Sequence, residues 1–360
     1  MDERQPLKNN NSRQVNFIIV GQGLAGSILA LSLINEGFSV CVIDKTDLSS
    51  CSKIAAGIWN PVVFKRLAKS WLADEVVPEL IDFYEKTEKN LQVSFVTKRS
   101  ILKAFTEEQE KVFWQKKAET ENEFLDKCVY QDFKVTDNYT LKSYSKVLHA
   151  GNIDVSIFLN ATKNHITKEH IFMNEQFDFN ELFQTENGIN YKSIVANKII
   201  FCEGHLISKN PYFNWIPLKP AKGEVLTISC KELFLDNSIL NKGFFMMPLG
   251  DDTYKVGATY EWENLNDVPT EEKKMELIAK LETVLSTPYH IIKHEAGVRP
   301  SVIDRRPIVG KHPEINNYYV FNGFGTKAVM LAPYFAKQLV NHLKNGHPIM
   351  EEVSLSRFKV

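Results

Sequence analysis

The first informative pattern is a pair of apolar runs separated by a helical stretch near the start of the chain. The run Phe17–Val20 leads directly into the sequence Gly-Gln-Gly-Leu-Ala-Gly at 21–26. A helix is predicted from about Leu24 to Glu36, Gly37 provides its C-terminal stop, and a second apolar strand follows at 38–43. Strand, glycine-rich turn, helix and strand in this order predict a dinucleotide-binding β-α-β unit.

Each glycine of this turn has a predicted role. Gly21 permits the tight turn, and Gly23 lets the backbone approach a pyrophosphate because it has no Cβ. Gly26 lets the following helix pack closely on the strand. The N-terminal N–H groups of that helix and the positive end of its dipole face the phosphates. Asp44 ends the second strand, near the offset of about 20 residues at which an acid binds a ribose hydroxyl.

The remaining patterns predict a mixed chain of strands and helices. Helices are predicted at about 68–90, 106–119, 271–285 and before 345, with a further one after Asp154; strands are predicted at 196–201, 224–229, 243–247, 253–259 and 318–321. A chain of 360 residues is long for one core, so two domains are expected. The fold class is therefore predicted as α/β, or α+β overall.

Charge and composition limit the classes of partner. The chain has 43 Lys and Arg against 44 Asp and Glu, so no global field attracts nucleic acid or an anionic membrane. No apolar run approaches the roughly 20 residues of a membrane span. The first 13 residues are polar, lack the apolar core of a signal peptide and are expected to form a disordered tail.

The cysteines predict neither a metal site nor a disulfide framework. The five cysteines are scattered along the chain, and no Cys-x-x-Cys pair occurs. Free thiols in a reducing cytosol are the simplest interpretation, so a cytoplasmic location without a bound metal is expected.

Seven motifs occur in an order typical of one family. They are VGQGLAG with Asp44, SKIAAGIWNP, IIFCEG, KGEVLTI, YKVGATYE, AGVRPSVIDRRPIVG and FNGFGTKAVMLAP. With these motifs, residues 17–343 resemble the FAD-dependent D-amino acid oxidase family. That family includes glycine oxidase, sarcosine oxidase and the flavin domain of a tRNA wobble-uridine modification enzyme.

The resemblance implies a Rossmann-like FAD-binding domain with an inserted antiparallel β-sheet substrate domain. The FAD-binding domain would comprise 14–90, 145–217 and 294–360, and the substrate domain 91–144 and 218–293. FAD would be bound non-covalently, because 295–310 contains no cysteine of the kind that covalent members use there. Ala328 stands where members usually have a further glycine, so the loop before it is expected to differ in shape.

The resemblance also implies which residues contact the cofactor. Small residues between Ser49 and Gly57 would let backbone amides approach the pyrophosphate and the flavin ring. The expected cofactor-binding residues are Gly21, Gly23, Leu24, Ala25, Gly26, Asp44, Lys45, Ser52, Ala55, Ala56, Gly57, Gly204, Arg299, Gly323, Gly325, Thr326 and Lys327.

Arg299 and two lysines are the candidates for binding substrate and for catalysis. Arg299 matches the arginine that binds substrate carboxylate in the family, where a guanidinium offers two parallel donors. The alternative for Arg299 is an ion pair with Asp304 or Glu295. Lys327 would hold substrate or stabilise reduced flavin, and Lys255 would assist the reaction with oxygen. For both lysines the alternative is a solvent-facing side chain.

For the other candidate side chains, the alternative to a binding role is packing in the core or exposure to solvent. Tyr254 and Met247 are candidate substrate-binding residues, with Met246, Tyr260 and Trp59 beside them, but such side chains are also common in cores. A basic group would matter for RNA only if its members cluster in space; otherwise it is a solvated face. This basic group consists of Lys65, Arg66, Lys69, Lys98, Arg99 and Lys103.

The function implied by the resemblance is oxidation of a C–N bond. A small amine or amino acid would give a hydride to FAD, and water would hydrolyse the resulting imine; no protein base is nominated. Molecular oxygen or another electron acceptor would reoxidise the flavin. Two alternatives remain, oxidative removal of a carboxymethyl group from a tRNA wobble uridine and a flavoprotein without turnover. The near-neutral charge counts against a nucleic-acid partner.

Overall fold

The computed structural model of the chain describes residues 12–45, 50–120, 122–185 and 188–358. The predicted N-terminal tail up to residue 11 and the predicted contact at Ser49 lie outside the described residues. The helices are α1 (Leu24–Asn35), α2 (Cys51–Ile54), α3 (Ala73–Leu91), α4 (Glu108–Thr120), α5 (Val155–Glu169), α6 (Glu271–Glu282) and α7 (Ala328–Asn345).

The strands are numbered in chain order. They are β1 (Arg13–Val20), β2 (Val40–Ile43), β3 (Ile58–Trp59), β4 (Val62–Val63), β5 (Ala68–Lys69), β6 (Val96–Lys98), β7 (Ile101–Ala104), β8 (Tyr130–Thr136), β9 (Tyr139–Val147), β10 (Gly151–Ile153), β11 (Ile171–Met173), β12 (Leu182–Thr185), β13 (Gly188–Tyr191), β14 (Ile194–Phe201), β15 (Ala221–Ser229), β16 (Ile239–Asn241), β17 (Phe245–Gly250), β18 (Thr253–Gly257), β19 (His290–Arg299), β20 (Ile308–Lys311) and β21 (Tyr318–Asn322).

The chain divides into two compact units, each assembled from separate segments. Among the described residues, unit 1 contains 12–45, 156–220 and 300–358, and unit 2 contains 50–155 and 221–299. Residues 50–90 and 145–155 therefore group with the second unit, although they were predicted to belong to the FAD-binding segments. The reason is strand pairing, because β3 pairs with β10 and β10 pairs with β6.

Unit 1 is built on an eight-stranded sheet with a parallel centre. Strands β11, β2, β1 and β14 run parallel in that order, and β21 also pairs with β14 in parallel. All four residues of β2 are buried, as expected for a strand covered on both faces. Helix α1 is mostly buried and contacts α7. The predicted β-α-β unit and the mixed α/β fold class are thus confirmed.

Unit 2 contains a second eight-stranded sheet with mainly antiparallel pairing. Its order is β19-β15-β18-β17-β16-β7-β9-β8, in which only β16 and β7 are parallel among the described strands. One face carries a core that includes Leu226, Met246, Tyr254 and Val256, and Leu277 and Leu281 of α6 belong to the same core. The long helix begins at Ala73, later than predicted, because 68–69 form β5 and Leu72 adopts a left-handed conformation.

Candidate active site

In unit 1, the glycine turn after β1 has room for backbone only. Gly21 has φ +102°, and a Cβ built on it would lie 2.6 Å from the Cys202 carbonyl oxygen. A Cβ on Gly26 would overlap the Gly21 carbonyl oxygen. A larger residue at position 21 would therefore break the turn, and one at position 26 would separate α1 from the sheet. Both effects agree with the roles predicted for these glycines.

Asp44 is held against this turn. The Gln22 main-chain N–H donates to Asp44 Oδ1 over 3.0 Å, which fixes the carboxylate at the end of β2. The Gln22 side chain is buried and donates to Ser27 Oγ and to the Leu159 carbonyl oxygen. No role was predicted for Gln22, since a polar residue between two glycines gives no periodic signal. Lys45 is the last described residue before the gap at 46–49.

The start of α1 fits an anionic group. Gly23, which has no side chain, is the N-cap residue of the helix, whose first residues are Leu24 and Ala25. The first N–H groups of a helix carry partial positive charge and bind phosphate or carboxylate. A glycine turn, a helix N-terminus and a carboxylate at the end of β2 together match the diphosphate and ribose of a dinucleotide.

In unit 1, the segment after β14 is joined to the end of β21 by a hydrogen bond. Asn322 is buried, and its Nδ2 donates to the Gly204 carbonyl oxygen over 2.9 Å. Gly323 and Gly325 have φ +76° and +55°, values that side chains rarely adopt. Thr326 follows, and Lys327 is the N-cap residue of α7. The glycines were predicted from the sequence but Asn322, which links the two predicted cofactor loops, was not.

Two ionisable groups of unit 1 are perturbed beside these loops. Burial lowers the pKa of Lys327, and the charges of Arg306 and Arg305 lower it further. Lys327 is half-buried. Burial raises the pKa of Glu203 to about 7, while a hydrogen bond from Asn210 to its carboxylate opposes the change. Glu203 directly precedes Gly204 and was not among the predicted site residues.

In unit 2, the small-residue segment 50–57 is packed through its backbone. Helix α2 within it is capped by Ser50, and Ser52 is inside the helix while Ala55 and Ala56 follow it. A Cβ on Gly57 would overlap the Ile153 carbonyl oxygen, and one on Gly297 would lie 3.0 Å from Cys51 Cα. The segment thus lies against β10 at one end and against β19 at the other.

Lys255 is directed at this segment. Its Nζ donates to the Ile54 carbonyl oxygen over 2.8 Å. Burial lowers the pKa of Lys255, and the charges of Glu295 and Asp154 oppose this effect. Met247 is the register partner of Lys255 on β17, so the two side chains share one face of the sheet.

The neighbouring aromatic candidates belong to the core. Tyr254 points to the face opposite Lys255, and its hydroxyl donates to the Leu233 carbonyl oxygen. Met246 belongs to the same core. Trp59 is 1% exposed and donates its indole N–H to the His149 carbonyl oxygen. These contacts are those of packing residues, so we leave Tyr254, Met246 and Trp59 out of the site.

Arg299 is the last residue of β19. Its guanidinium lies 4.5 Å from the Tyr260 ring centroid, and Nη1 donates to the Thr259 carbonyl oxygen over 3.3 Å. Within the described residues Arg299 forms no ion pair, and Asp304 instead binds Arg357 at 2.8 Å. The absence of a carboxylate beside Arg299 in this part of the chain favours a ligand over the structural ion pair.

Half of the basic group is engaged in local ion pairs. Lys69 pairs with Asp74 and Glu123, Lys98 with Glu85, and Lys103 with Glu110. Lys65 and Arg66 are exposed. Arg99 differs from the predicted solvated face, because its Nε and Nη1 atoms are buried without a hydrogen-bond partner among the described residues. This pattern does not resemble a continuous basic surface.

Three further features bear on the predictions. All five cysteines are within the described residues, and all are free thiols. Across the described ranges, no group of His, Cys, Asp and Glu side chains is arranged to hold a metal ion. No helix in the same ranges has the length and apolar character needed to cross a bilayer.

Solved structures and known sequences share this fold. Glycine oxidase from Geobacillus kaustophilus superposes with a TM-score of 0.77 at 18% identity, covering 97% of this chain and 100% of that one. Iminodiacetate oxidase from Chelativorans sp. BNC1 gives 0.76 at 16% identity, covering 94% and 98%.

Two relatives show how much of the sequence aligns. A glycine oxidase of Pseudomonas aeruginosa is 26% identical over 38% of both chains. The tRNA 5-methylaminomethyl-2-thiouridine biosynthesis bifunctional protein of Marinobacter nauticus is 21% identical over 91% of this chain but only 55% of its own length. The model of the FAD dependent oxidoreductase family matches residues 16–342, and the chain therefore belongs to that family, whose members bind FAD.

Proposed function

We propose that this chain oxidises the C–N bond of a small amino acid or N-substituted amino acid. The observation that carries the proposal is Arg299, a guanidinium held by Tyr260 and a backbone carbonyl with no acidic partner among the described residues. Such a group is suited to a carboxylate, because its donors match the two oxygens. An amino acid is the simplest substrate that carries both a carboxylate and an oxidisable C–N bond.

The cofactor supplies the electron chemistry, and the protein supplies position and charge. When bound, FAD provides the acceptor for the hydride that leaves the carbon next to nitrogen. The glycine turn at 21–26 and Asp44 would hold the diphosphate and the adenosine ribose of FAD. Because Gly204, Gly323 and Gly325 have no side chains, their backbone could also lie close to the cofactor. The nitrogen loses a proton as the hydride leaves, and water hydrolyses the imine to a carbonyl compound and an amine.

The two partly buried lysines, Lys255 and Lys327, have separate proposed roles. Lys327 stands at the N-terminus of α7, where its charge adds to that of the helix dipole and would stabilise an anion. Lys255 faces the 50–57 segment and would stabilise negative charge that develops as oxygen is reduced. Their lowered pKa values follow mainly from burial, which also strengthens their electrostatic effect on a nearby anion.

Anaerobic spectroscopy tests the proposal. The purified flavoprotein is mixed without oxygen with glycine, N-methylglycine, iminodiacetate, and D- and L-alanine, and the flavin absorbance near the visible maximum is followed. Bleaching by at least one of these amino acids, and not by the corresponding amines that lack the carboxylate, is expected. If none bleaches the flavin while dithionite does, the chain is a flavoprotein without turnover on this class of substrate.

A tRNA substrate is the second candidate. It is favoured by the alignment over 91% of this chain with the bifunctional tRNA-modifying protein of Marinobacter nauticus, against 38% with the glycine oxidase of Pseudomonas aeruginosa. The ion-paired state of Lys69, Lys98 and Lys103 counts against an RNA surface in unit 2. Bleaching by tRNA bearing a carboxymethylaminomethyl uridine, with none by the free amino acids, would replace the first candidate by the second.

A further inference from the structure

The triplet Lys222-Gly223-Glu224 places two buried charges behind Arg299. Lys222 and Glu224 alternate with Gly223 along β15, so both charged side chains point to one face of the sheet. On the opposite face Gly223 leaves space, because it has no side chain. Both charged residues are almost fully buried, with Lys222 Nζ 3.4 Å from Glu224 Oε1. Buried pairs of this kind cost free energy to desolvate, so their presence calls for a role beyond stability.

On the open face, Gly223 admits the guanidinium of Arg299. Arg299 is the register partner of Ala221, which shares a face with Gly223. A Cβ built on Gly223 would overlap the Arg299 Nη1, Nη2 and Cζ atoms. Because the Tyr260 ring also contacts the guanidinium, at 4.5 Å, the group is confined by the glycine backbone and by this ring. Any side chain at position 223 would displace the guanidinium.

On the other face, the charged pair attaches the segment 259–270 to β15. Glu224 accepts hydrogen bonds from the Thr270 main-chain N–H over 3.0 Å and from the Thr270 hydroxyl over 3.1 Å. Lys222 Nζ donates to Asn266 Oδ1 over 3.0 Å and to the Val268 carbonyl oxygen. The far end of the segment is thereby fixed by the two charged side chains.

Backbone bonds fix the near end of the same segment. Glu224 and Thr259 exchange two hydrogen bonds, one of them through the Thr259 hydroxyl, and Lys222 and Glu261 exchange two more. Between these bonds lies Tyr260, whose ring contacts the guanidinium. His294 Nε2 also lies 2.8 Å from Glu224 Oε2, at an angle outside hydrogen-bond geometry. The position of the Arg299 contacts thus depends on the triplet.

We infer that Lys222 and Glu224 are positioning residues for Arg299 and that Gly223 is the site that admits its guanidinium. The triplet then sets the preference for substrates that carry a carboxylate. This inference rests on the proposed function in taking that carboxylate as the ligand of Arg299. The positioning itself can be tested without any substrate.

The first test is a double-mutant cycle of thermal unfolding. Gly223→Ala is expected to lower the unfolding midpoint of the parent holoenzyme, because the new methyl group overlaps the guanidinium. In an Arg299→Ala background the same change is expected to have little effect, since the overlapping group is gone. Equal effects of Gly223→Ala in both backgrounds would overturn the inference.

The second test measures substrate preference. For the best amino acid of the anaerobic panel, Gly223→Ala should raise the apparent dissociation constant in flavin reduction by about 10- to 100-fold, the scale of a displaced binding group. The limiting rate of reduction should change much less. An unchanged dissociation constant would overturn the inference. If Gly223→Ala and Arg299→Ala are coupled in thermal unfolding but the parent binds no amino acid, the proposed function is rejected. The positioning of Arg299 by the triplet is then retained.

The charged pair is tested by replacing both members together. Lys222→Met alone leaves a buried unpaired carboxylate and is expected to impair folding, whereas Lys222→Met with Glu224→Gln removes both charges and should fold. The double variant is expected to bind the amino acid at least fivefold more weakly, with FAD content unchanged. Parent-like binding by the folded double variant would make the pair structural only and would overturn its positioning role.

Discussion

Gln22 and Asp44 are joined by a hydrogen bond from the Gln22 main-chain N–H to Asp44 Oδ1, with an N···O distance of 3.0 Å. This bond ties the carboxylate at the end of β2 to the glycine turn at the end of β1. The proposed ribose-binding acid and the proposed phosphate-binding turn are therefore joined in one element. Preorganisation of this kind lowers the cost of binding.

Asp44→Ala is expected to weaken FAD retention. It removes the contact with the turn and the proposed acceptor for the ribose hydroxyls, at a cost of about 1.5–3 kcal/mol for charged hydrogen bonds. Flavin absorbance per protein after gel filtration measures the loss. Glu36→Ala is the control, because Glu36 follows α1 of the same β-α-β unit in an exposed pair with Lys344. Full FAD content in Asp44→Ala would argue against the assigned ribose site.

Glu203→Gln is expected to stabilise the protein increasingly as the pH rises from about 4.5 to about 7, and by a constant amount above that. Because burial raises the folded-state pKa of Glu203 to about 7, the folded state retains a proton that the unfolded state loses near pH 4.5. The parent therefore loses stability as the pH rises through this window, by about 3 kcal/mol in total. Glutamine carries no such penalty and keeps the oxygen that Asn210 contacts.

Urea unfolding of the parent and Glu203→Gln at pH 4.5, 6 and 8 measures the effect. The free energies of unfolding should be similar at pH 4.5, and the variant should be more stable at pH 8. Glu175→Gln is a suitable control, since Glu175 is a partly exposed carboxylate of unit 1 paired with Lys192. A constant difference at all three pH values would show that Glu203 titrates normally.

Arg299→Lys keeps the charge and loses the planar pair of donors. Binding of an amino acid should weaken by about 1.5–3 kcal/mol, the scale of a charged hydrogen bond, while FAD content stays constant. The concentration dependence of anaerobic flavin reduction gives the dissociation constant. Arg66→Lys, at an exposed position of the same unit, is the matched control. Unchanged saturation by the substrate would assign Arg299 a structural role.

The parts of the fold that could be predicted from the sequence are those set by local pattern. The run Phe17–Val20, the glycine turn and Asp44 are adjacent in sequence, so their geometry follows from short-range backbone requirements. Asn322 and Glu203 could not be found this way. Their importance depends on contacts with Gly204 and on burial, and both arise only when β14 and β21 pair in the sheet.

Side-chain alternation along β18 places two neighbouring candidates on opposite faces of the sheet. Tyr254 and Lys255 are adjacent on β18, and both were predicted from the sequence without any indication of which face each occupies. The structure packs Tyr254 into the core and directs Lys255 to the Ile54 carbonyl oxygen. Because adjacent residues point to opposite faces, Tyr254 and Lys255 cannot both lie on the core side. Which face is buried depends on the packing of the whole sheet, and β18 alone does not determine it.

The remaining prediction separates the two lysines by half-reaction. Lys255→Met should be reduced by the amino acid at the parent rate and then react slowly with oxygen, because the charge that would stabilise developing superoxide is lost. Lys327→Met should show the reverse, with slower reduction or weaker substrate binding and normal reoxidation. Both variants should retain FAD, since neither removes the glycine turn or Asp44.

Stopped-flow absorbance of each half-reaction distinguishes these outcomes. Lys293→Met is the control for Lys255, because Lys293 is an exposed lysine of the same sheet whose charge acts on Lys255. If Lys255→Met reoxidises at the parent rate, the proposed role with oxygen is wrong. The contact between Lys255 Nζ and the Ile54 carbonyl oxygen would then serve to fix the 50–57 segment on β18, and the variant should unfold at lower temperature instead.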